Sequence, residues 1–316
     1  MAGAGSPLVK GMNSGESLLK FIDRVVRPDA GYIARCQELV GKFVKFLEMK
    51  NGPLNVNKIV TAGSLVSGTA ERARADIDLI IYLNDYSSVR DLSRDIGNVL
   101  RHLKTYIETD VIWAKSLVFK AMAPHSAQFF LKLGDSDTEH TVDLLPAVDI
   151  AKTMSQSAIY EEMKDQTDIR RFYGVSLAPF HFRFLQKVPA KVKDLIRLVK
   201  YWRRAEDVPI GSGFIETLVI AVWREDHKPQ NFDMNQYLRH VMQRLSQIKT
   251  LAVVFDDNYN HRLYRNDLKP PYLLDPCDPY KNMAPSIGDI PIVKKKADAV
   301  LESLARDGSV STQTSR

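Results

Sequence analysis

Apolar positions along the chain follow two rhythms, and the change between them divides it. Leu18, Phe21, Ile22 and Val25 recur at helical spacing with Pro28 just beyond, which predicts a helix over 15–26. Ile33, Cys36, Val40, Phe43 and Leu47 stripe a longer helix over 30–50. Period-two segments follow near 57–62, at 76–83, near 110–122, at 127–133 and at 140–148, with a helix near 88–107 between the second and third. After about residue 150 the helical rhythm takes over, at 155–165, 190–205, 213–224, 234–246 and 290–305. The pattern predicts an α+β protein of two lobes: a mixed sheet with its helices over 15–152, then a helical lobe over 153–305, with the site in the cleft at their junction. The Gly/Ser-rich residues 1–14 are expected to be flexible, and the polar stretch 306–316 to be a disordered tail.

Composition narrows the class. Of 316 residues, 45% are apolar and 26% charged, ordinary for a globular protein. No run approaches the ~20 apolar residues of a membrane span. The start lacks a charged region followed by an apolar one, so no secretory leader is expected. Cys36 and Cys277 stand far apart with no C-x-x-C, which argues against zinc and against a disulfide framework. A reducing compartment is expected, the cytoplasm or else the nucleus. The net charge of +6 suits a protein that handles polyanions, and equally a basic protein with no such partner.

The candidate chemistry is carboxylate chemistry. In "ADIDLIIYL" Asp76 and Asp78 lie one residue apart at the mouth of an apolar strand, so both project to one face. Asp143 interrupts a second strand, between Val142 and Leu144. Three carboxylates on adjacent strands repel unless a cation intervenes, and magnesium, with its oxygen ligands, is the usual one. Upstream, Gly63 and Ser64 follow a strand; glycine lets the backbone approach a phosphate, and the N–H groups of such a turn can hold one. Each feature also has a plain reading: a turn or cap acid for the Asp pair, an edge-strand ion pair for Asp143, an ordinary turn for Gly63–Ser64. Together they match a nucleotidyltransferase. Further on, Lys193, Arg197, Lys200 and Arg204 share one face of the 190–205 helix, opposite Val192, Leu195, Ile196, Val199 and Trp202. Taken alone, that basic face could simply be solvated.

Five segments, "ESLLKFIDRVVRPD", "GSLVSGTAERARADIDLIIYL", "TVDLLPAVD", "VPAKVKDLIRLVKYWRR" and "PYLLDPCDPYKNMA", resemble the 2′-5′-oligoadenylate synthetases of the DNA polymerase β-like nucleotidyltransferase superfamily. The resemblance covers about 15–305. It implies a polymerase-β-like fold with an N-terminal spine helix, and transfer of AMP from ATP to the 2′-hydroxyl of an acceptor adenylate, in innate antiviral signalling. It also implies two magnesium ions, with manganese as substitute, held by Asp76, Asp78 and Asp143 as ligands and catalysts, and Asp143 as the base, since none of the scattered histidines is marked for that role. Gly63 and Ser64 become the phosphate turn; Arg197 and Lys200 become nucleotide contacts, with Ser212 at the position of a pocket-lining tyrosine. Lys191 and Lys193 become candidate contacts to double-stranded RNA, the family's activator.

The chain departs from the family pattern at several places. Leu65 and Val66 replace small residues, Ser67 stands where a lysine is often found, and "GSGFIETL" puts Ser212 and Gly213 where a tyrosine lines the pocket, though Glu216 keeps its place. Losing that aromatic removes a stacking surface of ~1–3 kcal/mol per base. Thr61, Phe182 and Gln186 are neutral where the family carries RNA-binding cations. Dependence on duplex RNA is therefore expected to be weakened or absent, and a monomer is expected. Two other readings share the fold: a cyclic dinucleotide synthase, and a catalytically inactive RNA-binding member, which the resemblance says would lack one of the three acids.

Overall fold

A computed structural model describes residues 8–49, 52–72, 76–133 and 138–313, with side chains through 306. In chain order the elements begin with α1 (Leu18–Phe21) and a π-helical turn (Ile22–Val26), then α2 (Ala30–Leu47), β1 (Val56–Ala62), α3 (Gly63–Ser67), β2 (Ile77–Leu83) and α4 (Val89–Asp110). The strands β3 (Ser116–Ala123), β4 (Ser126–Lys132) and β5 (Glu139–Ala147) follow, then α5 (Gln156–Asp165), α6 (Arg170–Ser176) and α7 (Ala178–Gln186). The remainder is α8 (Ala190–Ala205), α9 (Ser212–Glu225), α10 (Met234–Ser246), β6 (Ala252–Val253), β7 (Tyr272–Asp275), β8 (Asp278–Asn282) and α11 (Ile290–Gln313). Helices and a mixed sheet together bear out the α+β class.

The chain forms two compact units, Pro28–Lys187 and Met1–Arg27 with Val188–Arg316. In the first, five strands run in the order β1-β2-β5-β4-β3. All neighbours are antiparallel except β2 and β5, which are parallel. Covered on both faces, β2 reads as a nearly continuous apolar run. On one side of the sheet Phe129, Leu131, Val142, Leu144, Leu79 and Ile81 are buried. The helices α2 and α4 bring apolar stripes to the same core. Asp29 caps α2 by accepting from the Tyr32 N–H at 2.7 Å, and Ser88 caps α4 by accepting from the Asp91 N–H at 3.1 Å. On the other side, Val175 and Ala178 of α6 and α7 pack against Ile80, Tyr82 and Ala147.

In the second unit α8 to α11 bury Leu195, Leu198, Trp202, Phe214, Leu218, Tyr237, Val241, Val293 and Ala297. A small sheet of order β6-β7-β8 completes it.

Several expectations change. By contacts the chain divides at 187/188, since α6 and α7 pack on the large sheet. The opening helix groups with the later residues and stops at Arg27, whose extended backbone precedes Pro28, as a residue before proline prefers. Residues 110–115 do not open a strand: the stripe of α4 runs through Ile107 to the buried Val111, so the helix continues to Asp110 and β3 begins at Ser116. Within 8–14, Leu8 and Val9 bury their side chains, the Tyr201 hydroxyl donates to the Lys10 carbonyl at 3.1 Å and Arg24 Nη2 donates to the Gly11 carbonyl at 3.1 Å, so this part is tied down; residues 1–7 lie outside the described residues. The helix α11 takes in 306–313 of the expected tail, since no proline intervenes and the lone Gly308 costs only about 1 kcal/mol; 314–316 lie outside the described residues.

The sheet's two faces differ sharply at neighbouring strands. Phe129 is fully buried against Phe119, with ring centroids 5.5 Å apart. Phe129→Ala is expected to cost about 3–5 kcal/mol in urea unfolding. Val118→Thr, on the open face, should stay within about 0.5 kcal/mol.

Candidate functional site

The three acids come together through strand register. Parallel pairing sets Asp78 directly opposite Asp143, with Ile77 opposite Val142 and Leu79 opposite Leu144. Antiparallel pairing then sets Ala62 of β1 opposite Asp78, Gln128 of β4 opposite Asp143, and Ala121 of β3 opposite Gln128. One row across the sheet therefore reads Ala62, Asp78, Asp143, Gln128, Ala121. Asp76 lies just before β2, exposed, and period two puts it on the same face as Asp78.

Asp143 is held by the protein at one oxygen only. Its Oδ2 accepts from Gln128 Nε2 at 2.9 Å, while Oδ1 is buried and meets no donor among the described residues. Burial, and then the charge of Asp76, push this carboxyl above its ordinary range; the Gln128 hydrogen bond and the charge of Lys120 work against that shift.

Gly63 explains how the turn approaches the acids. It opens α3 with φ +69°, in the left-handed region. A Cβ there would lie 1.7 Å from Asp78 Oδ2 and 2.9 Å from its Cγ. The backbone rests against the carboxylate only because the side chain is hydrogen. Ser64, next in the turn, has its carbonyl fixed by the N–H groups of Gly68 and Thr69, the latter at 3.0 Å, and by the Ser67 hydroxyl at 3.3 Å. Ser67 is itself buried and bonded to Thr69 Oγ1 at 2.8 Å. At the position where the family often has a lysine, this chain thus has an internal brace of the turn.

The basic residues of α8 are not a solvated face. Lys200 is only 4% exposed and donates from Nζ to Glu216 Oε1 of α9 at 2.5 Å. Arg197 pairs with Asp194 at 2.5 Å, and Asp194 Oδ2 also meets Arg27 at 2.6 Å. Burial holds the Arg197 guanidinium below its usual range; burial, then the charge of Arg197, lowers the Lys193 ammonium. Ser212 is exposed at the start of α9 and accepts from Arg203 at 3.4 Å. Lys191 donates to Asn231 Oδ1 at 2.5 Å and lies 5.1 Å over the Phe232 ring.

Sequence reasoning missed Gln128. The signal was present: in "AQFFLKL", Gln128, Phe130 and Lys132 share one face of a strand whose alternate residues are buried. What could not be read was which neighbouring strand that face would adjoin. The Glu216 partner of Lys200 was likewise hidden, because it comes from another helix.

The family model described as "2'-5'-oligoadenylate synthetase 1, domain 2, C-terminus" matches residues 153–315, and that of the nucleotidyltransferase domain matches 40–162. Mouse 2′-5′-oligoadenylate synthase 1A is 26% identical over 310 residues, covering 85% of this chain and 82% of its own. Mouse 2′-5′-oligoadenylate synthase 3 is 25% identical over 299 residues, covering 85% of this chain, which spans only 26% of that longer protein. Among solved structures, E. coli MS115-1 CdnC in its complex with HORMA-deltaN has a TM-score of 0.60 at 18% identity, over 92% of this chain and 88% of that one, a likeness of fold. The sheet with its acid row and the helical unit after it are thus matched from both ends, and the chain belongs to the 2′-5′-oligoadenylate synthetase family, as a nucleotidyltransferase.

Proposed function

We propose that this protein is a template-independent nucleotidyltransferase that joins ATP molecules into 2′-5′-linked oligoadenylates and releases pyrophosphate, within an antiviral response. The observation that carries the reading is the pairing of Asp78 with Asp143 across β2 and β5, with an inner oxygen of Asp143 that no donor among the described residues meets. A buried carboxylate oxygen without a donor is costly, and a hard divalent cation suits it. Asp76, Asp78 and Asp143 would hold two magnesium ions, or manganese in their place, which when bound would neutralise the triphosphate and acidify the acceptor hydroxyl.

The chain's own groups supply the rest. Gly63 admits the phosphates close to the backbone, and the Ser64 hydroxyl, on a turn braced by Ser67, orients them. Gln128 keeps Asp143 Oδ2 oriented, which leaves Oδ1 for the cation, and the Asp143 carboxylate is the proposed base for the acceptor 2′-hydroxyl. Arg197, Lys200 and Ser212 are the proposed nucleotide contacts of the second unit. The first two are held ready by Asp194 and Glu216, which limits the entropy lost on binding. Lys191 and Lys193 are the proposed RNA contacts, one engaged with Asn231 and Phe232 and the other partly desolvated.

Three outcomes are expected. In Asp143→Asn, synthesis from ATP and Mg²⁺ falls below detection while the urea midpoint is kept; persisting activity in a clean preparation removes Asp143 from the mechanism. In Gly63→Ala, the added methyl drives Asp78 from its place, and both turnover and Mn²⁺ affinity, followed by electron paramagnetic resonance, fall at least about tenfold. Incubated without duplex RNA, the wild type still turns over ATP, and a strict RNA requirement would defeat that expectation. Linear 2′-5′ ladders support the reading. A single phosphatase-resistant cyclic product would replace it with a cyclic dinucleotide synthase.

A further inference from the structure

The sheet face that carries the acids continues towards β3. Beside the acid row, the register places Thr141, Phe130 and Val118 side by side. Continuing the pairing of β2 with β5 by one residue aligns Asp76 with Thr141. The position of Phe130 therefore lies two strands, roughly 10 Å, from that of Asp76. This part of the face is open: Val118 is 57% exposed.

The edge strand β3 is irregular here. Its pairs run Val118 with Phe130 and Phe119 with Phe129, then jump to Ala121 with Gln128, so Lys120 is the extra residue of a β-bulge. Bulges are common beside active sites, and this one brings Ala121 opposite Gln128. Lys120, two residues from Val118 and so on the same face, lays its Nζ 4.8 Å from the centre of the Phe130 ring. Lys120 is exposed, and among the described residues no carboxylate pairs with it. A cation fixed by a ring, next to acids but bound to none of them, is placed to receive an anion.

Its side of the row identifies that anion. The turn of Gly63 and Ser64 follows β1, at one end of the row; Lys120 belongs to β3, at the other. Gly63 rests against Asp78 of β2 and the Lys120 ammonium against Phe130 of β4, so the two handles flank Asp143 of β5 about two strand spacings, roughly 10 Å, apart. If the donor's phosphates take the turn, the second handle serves the acceptor, on the side of the row where Gln128 holds Asp143.

We infer that Lys120 binds a terminal phosphate of the acceptor nucleotide, with Phe130 as the positioning residue that holds the lysine in place. This rests on the oligoadenylate reading above and goes beyond it, since it assigns acceptor selectivity to a bulged edge strand. The substrate class is a 5′-phosphorylated adenylate, preferred over the same acceptor without its phosphates.

The test is a competition between two acceptors. Labelled ATP and Mg²⁺ are supplied with the 5′-triphosphorylated 2′-5′ adenylate dimer or with its dephosphorylated core, and kcat/KM is measured for extension of each. The wild type should favour the triphosphorylated dimer on the order of tenfold, the size of one charge-assisted contact. In Lys120→Met the ratio should collapse towards one through KM for the triphosphorylated dimer. In Phe130→Leu, which leaves the charge but removes its rest, the ratio should fall part of the way. A wild-type ratio of one, or a ratio unchanged in Lys120→Met, overturns the inference. Failure of the wild type to extend either dimer overturns instead the oligoadenylate reading beneath it.

Discussion

The site depends on a single electrostatic constraint: two carboxylates facing each other across adjacent parallel strands. At one strand spacing and an effective dielectric of about 20, like charges repel by roughly 3 kcal/mol. Asp78 and Asp143 hold that arrangement because their strands are fixed by apolar partners on the opposite face, where Ile77, Leu79, Val142 and Leu144 are buried. The core thus keeps in place a polar row that would not assemble by its own interactions. Such a row favours the binding of positive charge, and its flanks follow from that. A glycine lies against one acid, an amide hydrogen bond steadies the other, and a lysine stands nearby. This is strain kept for function, supported by packing.

The second unit applies the same physics with the opposite sign. Lys200 with Glu216, and Arg197 with Asp194, are cations taken largely out of water and given partners; Asp194 also meets the more exposed Arg27. Buried pairs of this kind are weak sources of stability, because desolvation offsets much of their attraction. Their effect is placement: each cation is confined to one rotamer. The Asp194 cluster also joins α8 to the end of the opening segment at Arg27, one reason that segment groups with the later helices and not with the sheet.

Much of this was legible in the chain and some was not, for identifiable reasons. Apolar period two marked β2 and β5, and period 3.6 marked α2, α4, α8, α9 and α10. Residues 170–186 were harder: "RRFYGVSLAPFHFRFLQ" is apolar on too many sides for a clear stripe, and it forms two short helices, with Pro179 in the first turn of α7. The small strands β6 to β8 are two to five residues long, too short to show a rhythm. The tail of α11 showed polar composition, while helix continuation depends on the turns before it. In the site, the three acids stood out as charges in apolar strands. Gln128, Lys120 and Phe130 did not, because their meaning lies in the strand order and register.

By itself, then, the sequence determined which residues alternate, where the elements lie, and that Asp76 and Asp78 must share a face, since adjacent positions in a strand obey fixed local geometry. Only the tertiary structure decided that β5 would lie beside β2 in parallel, bringing Asp143 opposite Asp78 and Gln128 opposite Asp143. It alone decided that Lys200 would be buried with a partner and that the Lys120 ammonium would rest on the Phe130 ring. The physical reason is range: periodicity is set by neighbours along the backbone, whereas strand order and register come from burying one particular set of side chains together, which no local window of sequence contains.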